Sequence, residues 1–391
     1  MSPNTPHIAL CISIRSTYGR EIVHGIIDYS HQHGPWNIVH EEGWPVLDTE
    51  EFTSLRGRQL DGVIANLHTE EQEQILREAP FPFVNVSAFL KDSPEQVIPD
   101  NLEIGRMTAD HFLERGFRSF AFCGRSGIHL NRLRGDGFRQ RLAEAEFTCH
   151  DFQSEGFLPP ADRPAMEKDL GALKSWLEQL QKPVGVFAAT DTRGRQVIEI
   201  AHELGFLVPD EVAVVGVDND ELICNLPVPH LSSVVLKTER IGYEASALLA
   251  RRMAGHPPPG NPVLIPPLRV ATRQSSEILA VDDPELRTAL RYIREHAAEA
   301  IRVKDILVAT GIPRRALERR FRSLLGSSPG EELVKIRISM AKRFLAESED
   351  SVAAIAEKCG FNSLPYMSEV FGKKTGHSPL AYRARFRNRR R

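Results

Sequence analysis

Two carboxylates stand where apolar runs end: Asp191 follows VGVFAAT and Asp218 follows VAVVGV. Asp100 closes the short extended stretch VIPD, and Arg134 lies in RLRGDGF at the start of a helical stretch. A carboxylate accepts from two neighbouring donors and a guanidinium donates as a fork, which is the chemistry of a site for a polar ligand. The competing use of Asp100 and Asp191 is helix capping, a role Asp fills often. Reaction chemistry has no comparable support. GxSxG, HExxH, GxxxxGK[ST] and a post-strand GxGxxG are all missing, and GRSGIHLNRLRG is wrongly spaced for a phosphate loop. Cys11, Cys123, Cys149, Cys224 and Cys359 form no CxxC or Cys/His metal spacing, so buried free thiols and no cofactor are expected.

The carboxyl-terminal part carries a different pattern, written twice. VKDILVATGIPRRALERRFRSLLGSSP (303–329) is matched by VAAIAEKCGFNSLPYMSEVFGKKTGHSP (352–379). Val303, Ile306 and Gly311 recur as Val352, Ile355 and Gly360; Leu317, Phe321, Gly326 and Pro329 recur as Met367, Phe371, Gly376 and Pro379. The offset grows by one after the turn glycine, so the second turn should be one residue longer. Each copy reads as a short helix, a glycine able to adopt the left-handed turn, and a second helix opening near Pro313 or Pro365. In a helix-turn-helix that second helix enters the DNA major groove.

Charge separates this pattern from a plain helical bundle. Residues 285–391 hold 23 Lys and Arg against 12 Asp and Glu, whereas residues 1–284 hold 26 against 40. The overall net charge of −3 thus conceals a basic part suited to phosphate and an acidic part that is a poor DNA ligand.

The second copy, with IAEKCGF, Tyr366, Phe371 and KKTGHSPLAYR, resembles the AraC family of bacterial transcription regulators, over roughly 283–385. The resemblance implies two helix-turn-helix units joined by a long helix from Pro329 to about Ala346, and double-stranded DNA at promoter half-sites as the partner. It places Arg315, Glu318 and Arg319 at base-reading positions of the first unit, and Leu364, Pro365, Ser368 and Glu369 at those of the second. Arg bridges guanine O6 and N7, and Glu accepts from cytosine N4. Arg314, Arg320 and Arg322 read as phosphate contacts or solvated charges. More base specificity is expected from the first unit, because the second departs from the family's polar and basic content.

Upstream, the apolar runs HIALCISI, DGVIANL, FPFVNVS, SFAFCGR, VGVFAAT and VAVVGVDN alternate with helical stretches, which predicts α/β architecture with parallel sheets. PDNLEIGRMTADHFLERG, RLRGDGF, the segment 189–220 and LSSVVLKTERIGYEAS resemble the periplasmic-binding-protein (type I) sensors of lactose- and galactose-repressor relatives. That implies two lobes around a ligand cleft, lined by loops at the carboxyl ends of parallel strands. Carried onto this chain, the ligand-facing positions are Asp100, Arg134, Asp191, Asp218 and Asn219, with Ser13, Tyr18 and Arg20 from the loop of the first strand.

A sensor preceding an AraC-type domain resembles the xylose-responsive regulators. The order implies a sensor at 7–275, a linker at 276–284 and a DNA-binding domain at 285–391. The effector would be a monosaccharide, D-xylose or a related pentose, acting on a homodimer that activates catabolic genes with RNA polymerase as a further partner. No run reaches membrane-span length and MSPNTPHIAL lacks a secretory pattern, so a cytoplasmic protein without a membrane partner is expected. A sugar receptor for a permease or an enzyme acting on a small sugar would be the alternatives.

Overall fold

The computed structural model describes residues 5–40, 53–55, 57–91, 93–154, 163–278, 283–348 and 350–387. Its contacts divide the chain into two units, Met1–Ala280 and Val281–Arg391. The first is α/β and the second is helical.

The strands of the first unit are β1 (His7–Cys11), β2 (Asn37–His40), β3 (Gly62–Ala65), β4 (Phe83–Asn85), β5 (Val97–Pro99), β6 (Ser119–Arg125), β7 (His150–Ser154), β8 (Val184–Ala188), β9 (Val212–Val217), β10 (Ser232–Val235), β11 (Val263–Ile265) and β12 (Arg269–Ala271). Two sheets form, one in the order β2-β1-β3-β4 and one in the order β12-β10-β9-β8-β6-β7, while β11 pairs with β5. All pairings are parallel except β10 with β12, an antiparallel edge on the second sheet. β3, β4, β8 and β9 are buried at every residue, as parallel strands covered on both faces should be. Each sheet has its own apolar core. Ile8, Leu10, Ile64, Val97, Leu249 and Ile265 share one, and Phe112, Phe122, Phe138, Val215 and Val234 share another. The chain passes between these lobes at 99–101, 235–238 and 265–269.

In each lobe a glycine pair lets two helices touch backbone to backbone. A Cβ on Gly137 would lie 2.0 Å from the Leu102 carbonyl oxygen, and one on Gly105 would lie 2.2 Å from that of Arg134. Gly25 and Gly242 make the matching approach in the other lobe, at 1.9 Å from Glu239 O and 2.0 Å from Ile22 O. Gly137→Ala should therefore part Asn101–Leu113 from His129–Glu144 and destabilise the first unit by about 1–3 kcal/mol or more. Gly171→Ala, a helical site with open space, should gain about 0.5–1 kcal/mol. Urea melts of both variants check this, and equal midpoints would contradict it.

Within the expected linker at 276–284, residues 276–278 and 283–284 are described. Ser275 and Ser276 are fully buried and Ile278 belongs to an apolar core of the first unit. The serines are held because Ser275 Oγ donates to Val214 O at 2.6 Å and Ser276 Oγ donates to Ser232 Oγ at 2.8 Å. A helix already begins at Pro284, with Asp283 as its N-cap.

The second unit follows the repeat. Val303–Thr310 and Arg314–Leu325 form the first helix pair, and Val352–Lys358 and Leu364–Thr375 the second. Pro329–Glu347 joins them, opened by a capping box between Ser328 and Glu331. Gly311 and Gly360 sit at φ 69° and 73°, the left-handed geometry the repeat demanded. Two residues separate Gly311 from the helix that starts at Arg314, and three separate Gly360 from the helix that starts at Leu364, so the second turn is one residue longer after its glycine. Leu317, Phe321, Met367 and Phe371 are fully buried, so both copies use their shared apolar positions as core.

Candidate ligand cleft and DNA-binding surface

A cavity of 450 Å³ lies between the two lobes of the first unit. Ser16, Tyr18, Asn66 and Phe89 line it from the first lobe, Asn101 from the crossing, and Arg125, Asn131, Arg134, Thr190, Arg193, Gln196 and Asp218 from the second.

Arg134 organises its inner wall. The side chain is almost fully buried, donates from Nε to Asn101 Oδ1 at 2.9 Å and from Nη1 to Ala189 O at 2.5 Å, and faces Asp218 Oδ1 at 3.6 Å. Burial pulls the Arg134 pKa down, and Asp218 is the largest influence opposing that. Burial also raises the Asp218 carboxyl, while Arg134 counteracts it. Each charge thus offsets part of the other's cost of burial. Tyr18 closes the wall from the other lobe: its hydroxyl donates to Val86 O at 2.8 Å, and burial together with Asp218 raises its pKa.

Two further features shape the cavity. Asn131 is buried and donates from Nδ2 to Arg125 O, but its Oδ1 has no partner. Phe89 stacks on His68 with centroids 4.1 Å apart, and burial pushes His68 down to about 4, leaving it neutral. Across the cleft, Thr17 Oγ1 donates to Asp220 Oδ2 at 2.8 Å and His129 N donates to Phe89 O at 3.2 Å.

Of the sequence candidates, Tyr18, Arg134 and Asp218 line the cavity; Ser13, Arg20, Asp100, Asp191 and Asn219 do not. Ser13 Oγ accepts from Arg15 N. Arg20 is exposed and donates to Ile14 O, Arg15 O and Thr17 Oγ1, so it braces the loop and the Thr17 bridge. Asp100 is the N-cap of Asn101–Leu113, its side chain accepting from Glu103 N, as the capping alternative held. Asp191 is one position past its cap, which is Thr190. It is buried, accepts from Ser233 Oγ at 2.5 Å and Asp220 N at 2.8 Å, and is pushed up to about 8 by burial and then by Asp218. Asn219 turns away to accept from Arg273 Nη2 at 2.8 Å.

Cavity residues absent from the sequence reading are chiefly Asn66, Phe89, Asn101, Asn131, Arg193 and Gln196. Asn101 was one step from Asp100, and a signal existed: the cap residue bends back over the first turn, which frees the following position to face the cleft. Arg193 is held by an ionic fork to Asp169 at 3.0 and 3.2 Å, a pairing across 24 residues that no local pattern announces.

In the helical unit, Arg314, Arg315, Arg319 and Arg322 are exposed and Glu318 is half-exposed on Arg314–Leu325. Arg314 Nε donates to Glu318 at 2.9 Å. Arg320 is instead committed to Asp283 and Glu285 at the start of Pro284–His296, which corrects its reading as a phosphate contact or solvated charge. On Leu364–Thr375, Leu364, Pro365 and Glu369 are exposed and Ser368 is half-buried. Glu369 pairs with Lys373 at 2.6 Å, which offsets its repulsion from phosphate. Arg337 is buried and donates to Ala297 O, Glu299 O and Ile301 O, fixing the turn that precedes the first unit.

Among the described residues, no helix is long and apolar enough to cross a membrane. No cluster of His, Cys, Asp and Glu among them could hold a metal ion.

Three family models match in succession: an XylR N-terminal domain over residues 7–100, a periplasmic binding protein-like domain over 109–276 and a helix-turn-helix domain over 307–385. The chain is 31% identical to the xylose operon regulatory protein of Escherichia coli (strain K12), covering 96% of each. It is 30% identical to the protein of the same name from Haemophilus influenzae, over 96% of this chain and 97% of that one. A solved structure described as the xylose-binding transcription activator xylR aligns with a TM-score of 0.76 and 30% identity, over 98% of this chain and 99% of that one.

Proposed function

The chain belongs to the family of xylose operon regulatory proteins and is a sugar-responsive DNA-binding transcription regulator; from that premise we propose that D-xylose, or a closely related pentose, binds the cleft and makes the protein an activator of pentose-catabolic genes.

The observation that carries this reading is the set Arg134, Asp218 and Asn131 on one cavity wall. It offers a guanidinium whose Nε is held by Asn101, a carboxylate able to take two hydroxyls, and an amide lining the same cavity. Phe89 supplies an aromatic side chain to the same cavity for the sugar's C–H surface. Sugar in the cleft would add bonds that exist only with the lobes together, alongside Thr17–Asp220. Closure then shifts the population of states that present the DNA-binding domain, provided the sugar binds one arrangement better.

On DNA, Arg315, Glu318 and Arg319 read bases from the first unit, with Arg314 and Arg322 on phosphate. Leu364, Pro365, Ser368 and Glu369 make the fewer and more apolar contacts of the second. The protein acts as a homodimer on promoter half-sites, in the cytoplasm, with RNA polymerase as its target and without catalysing a reaction or requiring a cofactor. The sensor runs from residue 7 through the segment ending at Ile278, and the DNA-binding domain runs from Asp283.

A thermal-shift series with purified protein tests the effector. D-Xylose at 100 times its dissociation constant should stabilise the sensor by about 2.7 kcal/mol. Hexoses at equal concentration should do less. A series in which no pentose shifts the melt would overturn the pentose assignment.

A further inference from the structure

Asp218 is held toward the cavity by an unfavourable piece of backbone. Asp218 and Asn219 have φ values of 102° and 52°, the left-handed region that L-residues rarely adopt. Such a loop persists only where its surroundings over-determine it, and here the surroundings are specific. Asn219 N donates to Ser233 Oγ at 2.9 Å, Asp220 N donates to Asp191 Oδ2 at 2.8 Å, and Arg273 Nη2 donates to Asn219 Oδ1 at 2.8 Å.

Arg273 is the unusual member of that set. It lies outside the cavity, just past β12, and belongs to the last described stretch of the sensor before the DNA-binding unit. Besides Asn219 it donates from Nη1 to Leu231 O at 3.0 Å, and its backbone N and O both bond Ser232 Oγ, at 2.8 and 2.9 Å. Ser232 N donates to Ser275 Oγ at 2.8 Å, and Ser276 Oγ bonds Ser232 Oγ on one side and His111 Nε2 on the other, each at 2.8 Å. Ser232, Ser233, Ser275 and Ser276 are fully buried, so water offers these groups no alternative partner. A continuous polar seam therefore runs from Asn219, the neighbour of the carboxylate facing the cleft, to the segment where the chain leaves the sensor.

We propose that Arg273 is a positioning residue that couples the cleft to the DNA-binding unit: it clamps the strained Asp218–Asn219 loop, and sugar bound on Asp218 changes the register of the Arg273–Ser276 exit segment through that clamp. This rests on the sugar-regulator reading. A strained loop has a relaxed alternative, which supplies the two discrete arrangements that coupling requires. Occupancy of Asp218 stabilises the strained one, and by linkage the exit segment then reports it.

The test uses the full chain, D-xylose, and duplex DNA enriched by the protein itself from a random-sequence pool. Sugar affinity is measured by calorimetry, and DNA affinity is measured without sugar and at sugar saturation for each variant. Arg273→Met keeps the aliphatic stem and removes the clamp. It should weaken D-xylose several-fold and, even at saturation, reduce the sugar-dependent change in DNA affinity to less than a third of the wild-type fold-change. Asn219→Gly relieves the left-handed strain, removes the acceptor and folds readily, and it should lose the response in the same way. A variant that keeps the full fold-change at saturating sugar overturns the proposal. A wild-type protein without any sugar-dependent change would sink the regulator reading instead, and the coupling with it.

Discussion

Asp218→Ala weakens D-xylose binding by about 1–3 kcal/mol, the cost of leaving polar partners unpaired in a closed cleft. It also lowers the stability of the ligand-free protein. The cause is Arg134, whose guanidinium is buried and whose counter-charge is Asp218. Removing one partner of a fully buried pair costs about 3–5 kcal/mol. The loss here should fall below that, because Asp218 is partly accessible and Arg134 keeps Asn101 and Ala189 O. Asp218→Asn retains an acceptor oxygen and should sit between Ala and wild type on both measures. Calorimetry and urea melts give the two numbers. Unchanged sugar affinity in a folded Asp218→Ala protein would remove Asp218 from the site.

Arg319→Ala should reduce affinity for selected DNA by about 1–3 kcal/mol while changing random-sequence binding much less, if the side chain reads a base. Arg320→Ala, one residue on, should behave in the opposite way. Its guanidinium bonds the Asp283 cap and Glu285, so its loss lowers the melting temperature and leaves the preferred sequence unchanged. Both are measured at one fixed salt concentration, because phosphate contacts make affinity steeply salt-dependent. Equal weakening on selected and random duplexes by Arg319→Ala would reduce that residue to a phosphate contact.

The helical unit was legible because its constraints are local. A glycine at φ near 70° after a short helix, an apolar pair four residues apart, and a proline opening the next helix all leave marks within a few residues, and duplication prints them twice. The α/β architecture was legible for a similar reason, since strands buried on both faces read as unbroken apolar runs. The antiparallel β12 edge was not, because a three-residue strand has too few side chains to declare its direction.

The cleft divides along the same line. Arg134 and Asp218 follow from where they sit on their elements, and the structure lines the cavity with both. Asp100 and Asp191 belong to the right loops but are consumed by other bonds, one capping a helix and the other receiving the distant Ser233 Oγ and Asp220 N. Which residue of a loop faces a cavity depends on side-chain direction at a helix start, and that is set by a cap chosen among neighbours. Asn131 and Arg193 depend on tertiary placement alone: one carries an unpartnered oxygen, the other is steered by Asp169 from a distant helix.

The most direct test of a sugar sensor governing a DNA-binding domain is a fluorescence titration of the self-selected duplex by the full chain. It is run at constant ionic strength with no sugar, with saturating D-xylose and with D-glucose. D-Xylose should move the half-saturation point by roughly 5- to 150-fold, the usual range of coupling between two sites, and D-glucose should leave it in place. Superimposed curves under all three conditions, from protein that calorimetry shows to bind D-xylose, would contradict it.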